Sequence, residues 1–220
     1  MTKSIRHAVF DLDATLYPAD SGIWIEIKSR INLYMLEHML IPQAEVVGLR
    51  HRYLTQFGTT LAGLQHDYPD MDSDGYLDFV HDVSYERYLA PNPLLDQMLA
   101  ELPITKSIFT NADSIHAERV LSLLSIRRHF TTLVDIRKTN FINKPDPRAF
   151  SILLDSIRAE PEECIMIDDS VRNLDTAQSL RMSTLLICPD HVPKGKFAHQ
   201  QVPDILSADG PIRRLCNLRT

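Results

Sequence analysis

The stretch Ala8–Leu16, AVFDLDATL, decides how this chain is read. An apolar run, Ala8-Val9-Phe10, stops at two aspartates one residue apart, Asp11 and Asp13, with Thr15 just behind. In an extended segment residues i and i+2 point the same way, so both carboxylates emerge together where a buried strand runs out. Two partly buried carboxylates held close repel, and one tends to stay protonated.

Similar apolar runs recur along the chain, each followed by turn signals: 5–13, 104–111, 130–136, 164–170 and 183–190. They read as buried strands. Helical patterns lie between them. Residues 114–124 place Ile115, Val120, Leu121 and Leu124 on one stripe, 147–157 open with Pro147, and 170–180 open with Ser170 in an N-cap position. Strands alternating with helices predict an α/β fold, a Rossmann-like parallel sheet with helices on both faces. Right-handed crossovers put every strand's C-terminal end on one edge, where ligands bind.

Residues 19–89 break the alternation. Ile23, Ile27, Ile31 and Tyr34 fall at helical spacing, two further helical stretches follow, and no strand is evident before residue 104. The pattern predicts a small all-helical domain inserted after the first strand, with PADSG (18–22) and LAPNP (89–93) as its hinges. The core then comprises 1–18 and 90–220 and the inserted domain 19–89.

Four strand ends carry groups suited to phosphate or a hard cation: Asp11 and Asp13, Thr110 and Asn111, Lys144 in the loop NKPDP, and Asp168 and Asp169. In a parallel sheet these ends converge. Clustered carboxylates without His or Cys form an oxygen-only site suited to Mg²⁺, which keeps several waters and invites a substrate phosphate. Lys144 adds a positive charge, and Thr110 a hydroxyl donor at a helix start.

These residues, in this order, resemble the haloacid dehalogenase superfamily. DLDAT is similar to its DxDx[T/V] motif, SIFTN to its second motif, Lys144 in KPDP to its third-motif lysine, and IDDSVRN to its acidic fourth motif. The resemblance covers about two-thirds of the chain, with the helical insertion where the family places its first type of cap. It implies that Asp11 is a nucleophile forming an aspartyl-phosphate, and that Asp13 is a general acid and then a base. It implies Mg²⁺ held by Asp11, the Asp13 backbone carbonyl and Asp169, with phosphoryl oxygens bound by Thr110, Asn111 and Lys144. Thr15 braces the loop, Asn173 supports the metal ligands from behind, and Asp168 either does the same or shares the metal. Ala14 occupies a position where relatives often have Asn or Gly. Dehalogenases of the superfamily keep the nucleophile but need no metal and lack the second aspartate, so Asp13 argues for phosphoryl transfer.

One branch is closer. FDLDATLYPADSGI with Arg30-Ile31 and Tyr34, and FTNADSIHAERVL, resemble the pyrimidine 5′-nucleotidase-like group. Within 53–64, Gly58, Thr59, Thr60 and Gly63 resemble its substrate-facing cap loop, with Tyr53, Phe57 or Trp24 available to stack on a base. The implied substrate is UMP or CMP. The alternatives are another small ester (a sugar phosphate, phosphoglycolate or lysophosphatidate) or a non-catalytic binding module on the same fold.

The 220 residues are 44% hydrophobic and 24% charged, with net charge −6. That balance argues against a nucleic-acid partner. MTKSIRHAVF has no apolar region of signal-peptide length, and no run reaches the ~20 residues of a membrane span. Cys164, Cys188 and Cys216 lack metal-ligand spacing and read as reduced thiols of a cytoplasmic protein. His116 is expected to pack on or near a helix surface, and residues 191–200 to form a solvated loop.

Overall fold

A computed structural model describes residues 4–189 and 200–217. The elements run β1 (His7–Phe10), α1 (Ile23–Glu37), α2 (Gln43–Phe57), α3 (Thr60–Asp67), α4 (Ser73–Val80), α5 (Pro93–Glu101), β2 (Thr105–Phe109), α6 (Ser114–Leu123) and β3 (Thr132–Val134). They continue with α7 (Pro147–Ile157), β4 (Cys164–Asp168), α8 (Val171–Ser179), β5 (Ser183–Ile187), β6 (Gln200–Val202) and α9 (Asp209–Leu215). All neighbouring strands pair in parallel, in the order β3-β2-β1-β4-β5-β6.

Period-two alternation divides the core between the two faces of the sheet. Ala8 and Phe10 of β1, with Ile165 and Ile167 of β4, pack against Leu95 and Leu99 of α5 and Val120 and Leu121 of α6. Val9 and Met166 face the other way, onto Ala149, Phe150 and Leu153 of α7 and Leu174 and Ala177 of α8. Both faces are covered, which is why the strands are apolar throughout. The same parity carries past the strand ends. Asp11 continues the row of Val9, and Asp168 the row of Met166.

The expected parallel sheet and inserted helices are present, with three differences in detail. A sixth strand, β6, extends the sheet edge. It is short and polar, QQV, and carried no apolar run to announce it. The segment 73–89 is not one helix, since α4 stops at Val80 and a single turn of 3₁₀ helix follows at Tyr85–Arg87. The stretch 58–63 is not a loop. Gly58 at φ +87° ends α2, and the Thr59 side chain then accepts from the Ala62 N–H at 3.1 Å to start α3. Gly-Thr here is a helix stop followed at once by a helix start. Residues 191–199 of the expected solvated loop lie outside the described residues.

The inserted helices have their own core, built around Tyr34, Met35, Tyr53, Leu64, Tyr76 and Val80. Tyr53 is 0% exposed, and its hydroxyl donates to Asp67 at 2.6 Å. Its ring lies against Gly63 so closely that an added Cβ would sit 2.1 Å from it. No helix is long and apolar enough to cross a membrane, among the described residues.

Two glycines in α2 and α3 should therefore respond in opposite ways to the same substitution. Gly48→Ala meets nothing within 4 Å and should stabilise by up to about 1 kcal/mol through helix propensity. Gly63→Ala should destabilise by about 1–3 kcal/mol, because Tyr53 has to move. Denaturant unfolding of the two variants beside the parent measures both signs.

Candidate active site

The strand order reverses between β1 and β4, and a crevice opens there at the C-terminal edge. Asp11 and Asp13 leave the end of β1, and Asp168 and Asp169 close the end of β4. The Asp11 N–H donates to the Ile167 carbonyl at 2.8 Å, so the strands stay paired up to the carboxylates. Into this crevice comes Lys144, 1% exposed. Its ammonium donates to Asp11 Oδ1 at 2.7 Å, Asp168 Oδ2 at 2.9 Å and the Phe109 carbonyl at 2.8 Å. Burial opposes the charge on Lys144, but the two carboxylates override it and raise its pKa.

All three ammonium protons are thus committed within the protein. For Lys144 to meet a phosphoryl oxygen, one of these bonds has to be exchanged. Asn111, expected at the phosphate, lines the cleft, but its amide is engaged with the Lys144 backbone. Its Oδ1 accepts the Lys144 N–H at 2.8 Å and its Nδ2 donates to the Lys144 carbonyl at 3.1 Å. Its side chain is spent on fixing the Lys144 loop. Thr110, 2% exposed, accepts from the Ala112 N–H at 3.0 Å and keeps its hydroxyl proton available toward the cleft it lines.

Asp168 is 0% exposed and saturated. Besides Lys144 it accepts from the Ser170 N–H at 2.8 Å and from Asn173 Nδ2 at 3.0 and 3.1 Å. This leaves Ser170 making no side-chain cap of α8, since Asp168 serves the helix start instead. Thr15 Oγ1 lies 3.3 Å from Asp11 Oδ2. Carboxylate oxygens of Asp11, Asp168 and Asp169 come within 4.8 Å of one another. Three carboxylates against one ammonium leave two negative charges uncompensated. Burial, with Asp168, Asp169 and Asp13 adding to it, pushes the Asp11 carboxyl well above its usual range despite Lys144. Asp169 opens onto the cleft but is enclosed by protein on its other sides. That enclosure and the neighbouring Asp168 raise it to about 7. An oxygen-only donor set with a residual charge of two fits a hard divalent cation.

Asp13 is held apart from this cluster. Its Oδ1 receives the Tyr17 hydroxyl at 2.5 Å and faces His116 Nε2 at 2.7 Å. Burial alone would raise its pKa, but His116 and Tyr17 bring it below the usual carboxylate value. His116 is 0% exposed, not at a helix surface. The expectation failed because the α6 stripe was read from its aliphatic residues. Asp113 caps α6 by accepting from the His116 N–H at 2.8 Å, which sets His116 in the first turn, at the strand-end edge. Tyr17, four residues beyond Asp13, was also missed. The i, i+4 spacing in DATLY was its one signal.

The inserted helices roof a cavity of about 440 Å³ whose floor includes Asp11, Asp13, Thr110, Lys144 and Asp169. Trp24, Gly58, Thr59 and Thr60 line it, whereas Tyr53 and Phe57 belong to the core of the insertion. The end of α2 is clasped to the sheet domain. Arg172 donates to the carbonyls of Leu54 and Thr55 at 3.0 and 3.2 Å, and Asn143 to that of Phe57 at 2.9 Å.

A family model described as haloacid dehalogenase-like hydrolase matches residues 5–181. The chain belongs to the haloacid dehalogenase-like hydrolases. Phosphate metabolism protein 8 of Saccharomyces cerevisiae is 25% identical over 191 residues, which cover 80% of this chain and 60% of that protein. The chain thus spans about 60% of that relative's length. Among solved structures, a HAD phosphatase from Thermococcus onnurineus aligns with TM-score 0.61 and 18% identity over 96% of this chain and 97% of that one. A 2-haloacid dehalogenase from Pseudomonas syringae aligns with TM-score 0.60 and 18% identity over 96% and 99%. At such identities the likeness is one of fold, and this hydrolase's chemistry has to be argued from its own residues.

Lys144 gives the hydrolase its first test. Lys144→Met leaves Asp11 and Asp168 buried without their shared cation, and should destabilise by about 3–5 kcal/mol. Adding Asp168→Asn should recover part of that loss. Chemical denaturation of both variants beside the parent reads the difference.

Proposed function

We propose that this hydrolase is a Mg²⁺-dependent phosphomonoesterase that works through an aspartyl-phosphate on Asp11. The observation that carries the reading is Asp13, a second carboxyl on the cleft floor beside Asp11. A halide leaves carbon as a stable anion and needs no proton. An alkoxide leaving phosphorus does need one, and a second carboxyl can give it.

In this reading Asp11 attacks phosphorus as Asp13 protonates the leaving oxygen, giving the alcohol and the acyl phosphate. Asp13, now a carboxylate, takes a proton from water as that water's oxygen attacks the phosphorus. The P–O bond to Asp11 breaks, releasing inorganic phosphate and the free Asp11 carboxylate. Asp11, Asp169 and the Asp13 backbone carbonyl would hold Mg²⁺, whose charge would offset that of the phosphoryl oxygens. Asp168, saturated by Lys144, Asn173 and Ser170, orients the lysine from behind. Thr110 would donate its hydroxyl proton to the phosphoryl group, and the Lys144 charge, joined by that of a bound divalent cation, would favour the ionised Asp11 that attacks.

The substrate we propose is a pyrimidine nucleoside 5′-monophosphate, UMP or CMP. Trp24, Ile27, Ile31, Leu61 and Leu77 give the cavity an apolar wall for a flat base, and Thr59 and Thr60 bring polar groups to its edge. The cap is taken as residues 19–89 on a core of 1–18 and 90–220, with the α2 clasp holding it over the site. No nucleic-acid or membrane partner is invoked.

Phosphate release from UMP, CMP, AMP, a sugar phosphate, phosphoglycolate, lysophosphatidate and 4-nitrophenyl phosphate tests this reading, with Mg²⁺ and with chelator. The expected result is metal-dependent turnover favouring UMP and CMP. Turnover of only other esters would reassign the cavity while leaving the reaction in place. Asp11→Asn should abolish turnover, a loss of at least about 10³-fold, with an unchanged circular dichroism spectrum. Normal activity in that variant overturns the nucleophile.

A further inference from the structure

Tyr17 and His116 both engage one oxygen of Asp13, and neither lines the cavity. Their effect on any reaction in the cleft therefore has to pass through Asp13. Tyr17 is 3% and His116 0% exposed, so the two partners sit behind the carboxyl and out of reach of a substrate. Both bonds end on Oδ1, and Oδ2 has no hydrogen bond among the described residues. A carboxyl with one oxygen pinned by two partners presents the other in a single orientation.

His116 is itself held on every side. Its Nδ1 lies 2.9 Å from the Tyr85 hydroxyl oxygen, whose single proton goes to the His81 carbonyl at 2.9 Å. Its ring packs on that of His81 with centroids 4.4 Å apart. His81 Nδ1 in turn bonds Asp113 Oδ2 at 3.0 Å, and Asp113 Oδ1 accepts the His116 N–H. His81 follows α4 directly and lines the cavity, so this chain of contacts runs from the end of the inserted helices to the carboxyl at the end of β1. Five polar side chains, three of them 1% exposed or less, are arranged to fix a single imidazole against a single carboxyl oxygen.

We infer that His116 and Tyr17 are positioning residues that anchor Asp13 through Oδ1, so that Oδ2 is the oxygen that gives and takes the proton at the leaving group. The inference rests on the phosphatase reading, because it gives that reading's general acid its geometry. Holding the acid within hydrogen-bond reach of the departing oxygen matters most when that oxygen is a poor leaving group. An alkyl ester needs the proton as its P–O bond breaks. A 4-nitrophenolate departs without one.

The test compares kcat/KM for the alkyl phosphate that the parent protein hydrolyses fastest with kcat/KM for 4-nitrophenyl phosphate. The variants are Tyr17→Phe, His116→Leu and His116→Gln. The ratio of the two constants within one preparation is independent of how much protein is folded, and Tyr17→Phe keeps the test alive if the buried His116→Leu folds poorly. Tyr17→Phe and His116→Leu should each lower the alkyl-to-aryl ratio by about tenfold or more, as expected for a displaced general acid. His116→Gln, whose amide nitrogen can take the place of Nε2, should restore most of the ratio. An unchanged ratio in both removal variants overturns the inference, even if both rates fall together, since uniform loss is what a structural role would produce. A parent protein that hydrolyses neither ester overturns the phosphatase reading itself, and the inference with it.

Discussion

One buried ammonium organises the strand-end edge of this protein. Lys144 reaches the junction of β1 and β4 at 1% exposure and divides its three protons among Asp11, Asp168 and the Phe109 carbonyl. A buried ion is tolerated only when its partners repay the lost hydration, and here each partner comes from a different strand end. Asp11 is tied to β1, Asp168 to β4 and Phe109 to β2. The lysine is thus a tie across three strands as much as a charge in a cleft. Asn111 completes the tie by closing both ends of its amide on the Lys144 backbone.

That arrangement separates two carboxyls that the sequence sets side by side. Asp11 lies in the crowded, negatively charged cluster, where burial and its neighbours disfavour ionisation. Asp13 lies against His116 and Tyr17, which favour the charged form. Two residues apart in the chain, the two carboxyls thus sit in environments of opposite sign. The uncompensated charge of the cluster is what makes room for a divalent cation, and a cation there would reverse the penalty on Asp11.

Most of the architecture was legible in the chain because its signals are local. Strands buried on both faces have to be apolar, so 5–13, 104–111 and 164–170 stood out as runs, and the aspartates ending two of them marked the crevice. Helix α7 was legible to the residue, since Pro147 opens it and Phe150 and Leu153 stripe it. Strand β6 was not, because QQV gains its strand character only from pairing with β5. Nor was α3 foreseen. Gly58-Thr59-Thr60 looks like a loop until the positive φ and the Thr59 cap are seen as the end of one helix and the start of the next.

By itself, the sequence determined the fold class, the insertion and the acidic strand ends, because spacing along the chain and burial of whole strands suffice to specify them. Only the tertiary structure decided what each polar side chain does. Tyr53 became a packing residue because Gly63 leaves room for its ring, and Asn111 a brace because the Lys144 loop arrives at its amide. His116 moved from helix surface to the carboxyl of Asp13, 103 residues away in sequence. Hydrogen bonds are short and directional, so a side chain's partner is set by which segments folding brings within about 3 Å. No local pattern encodes that distance.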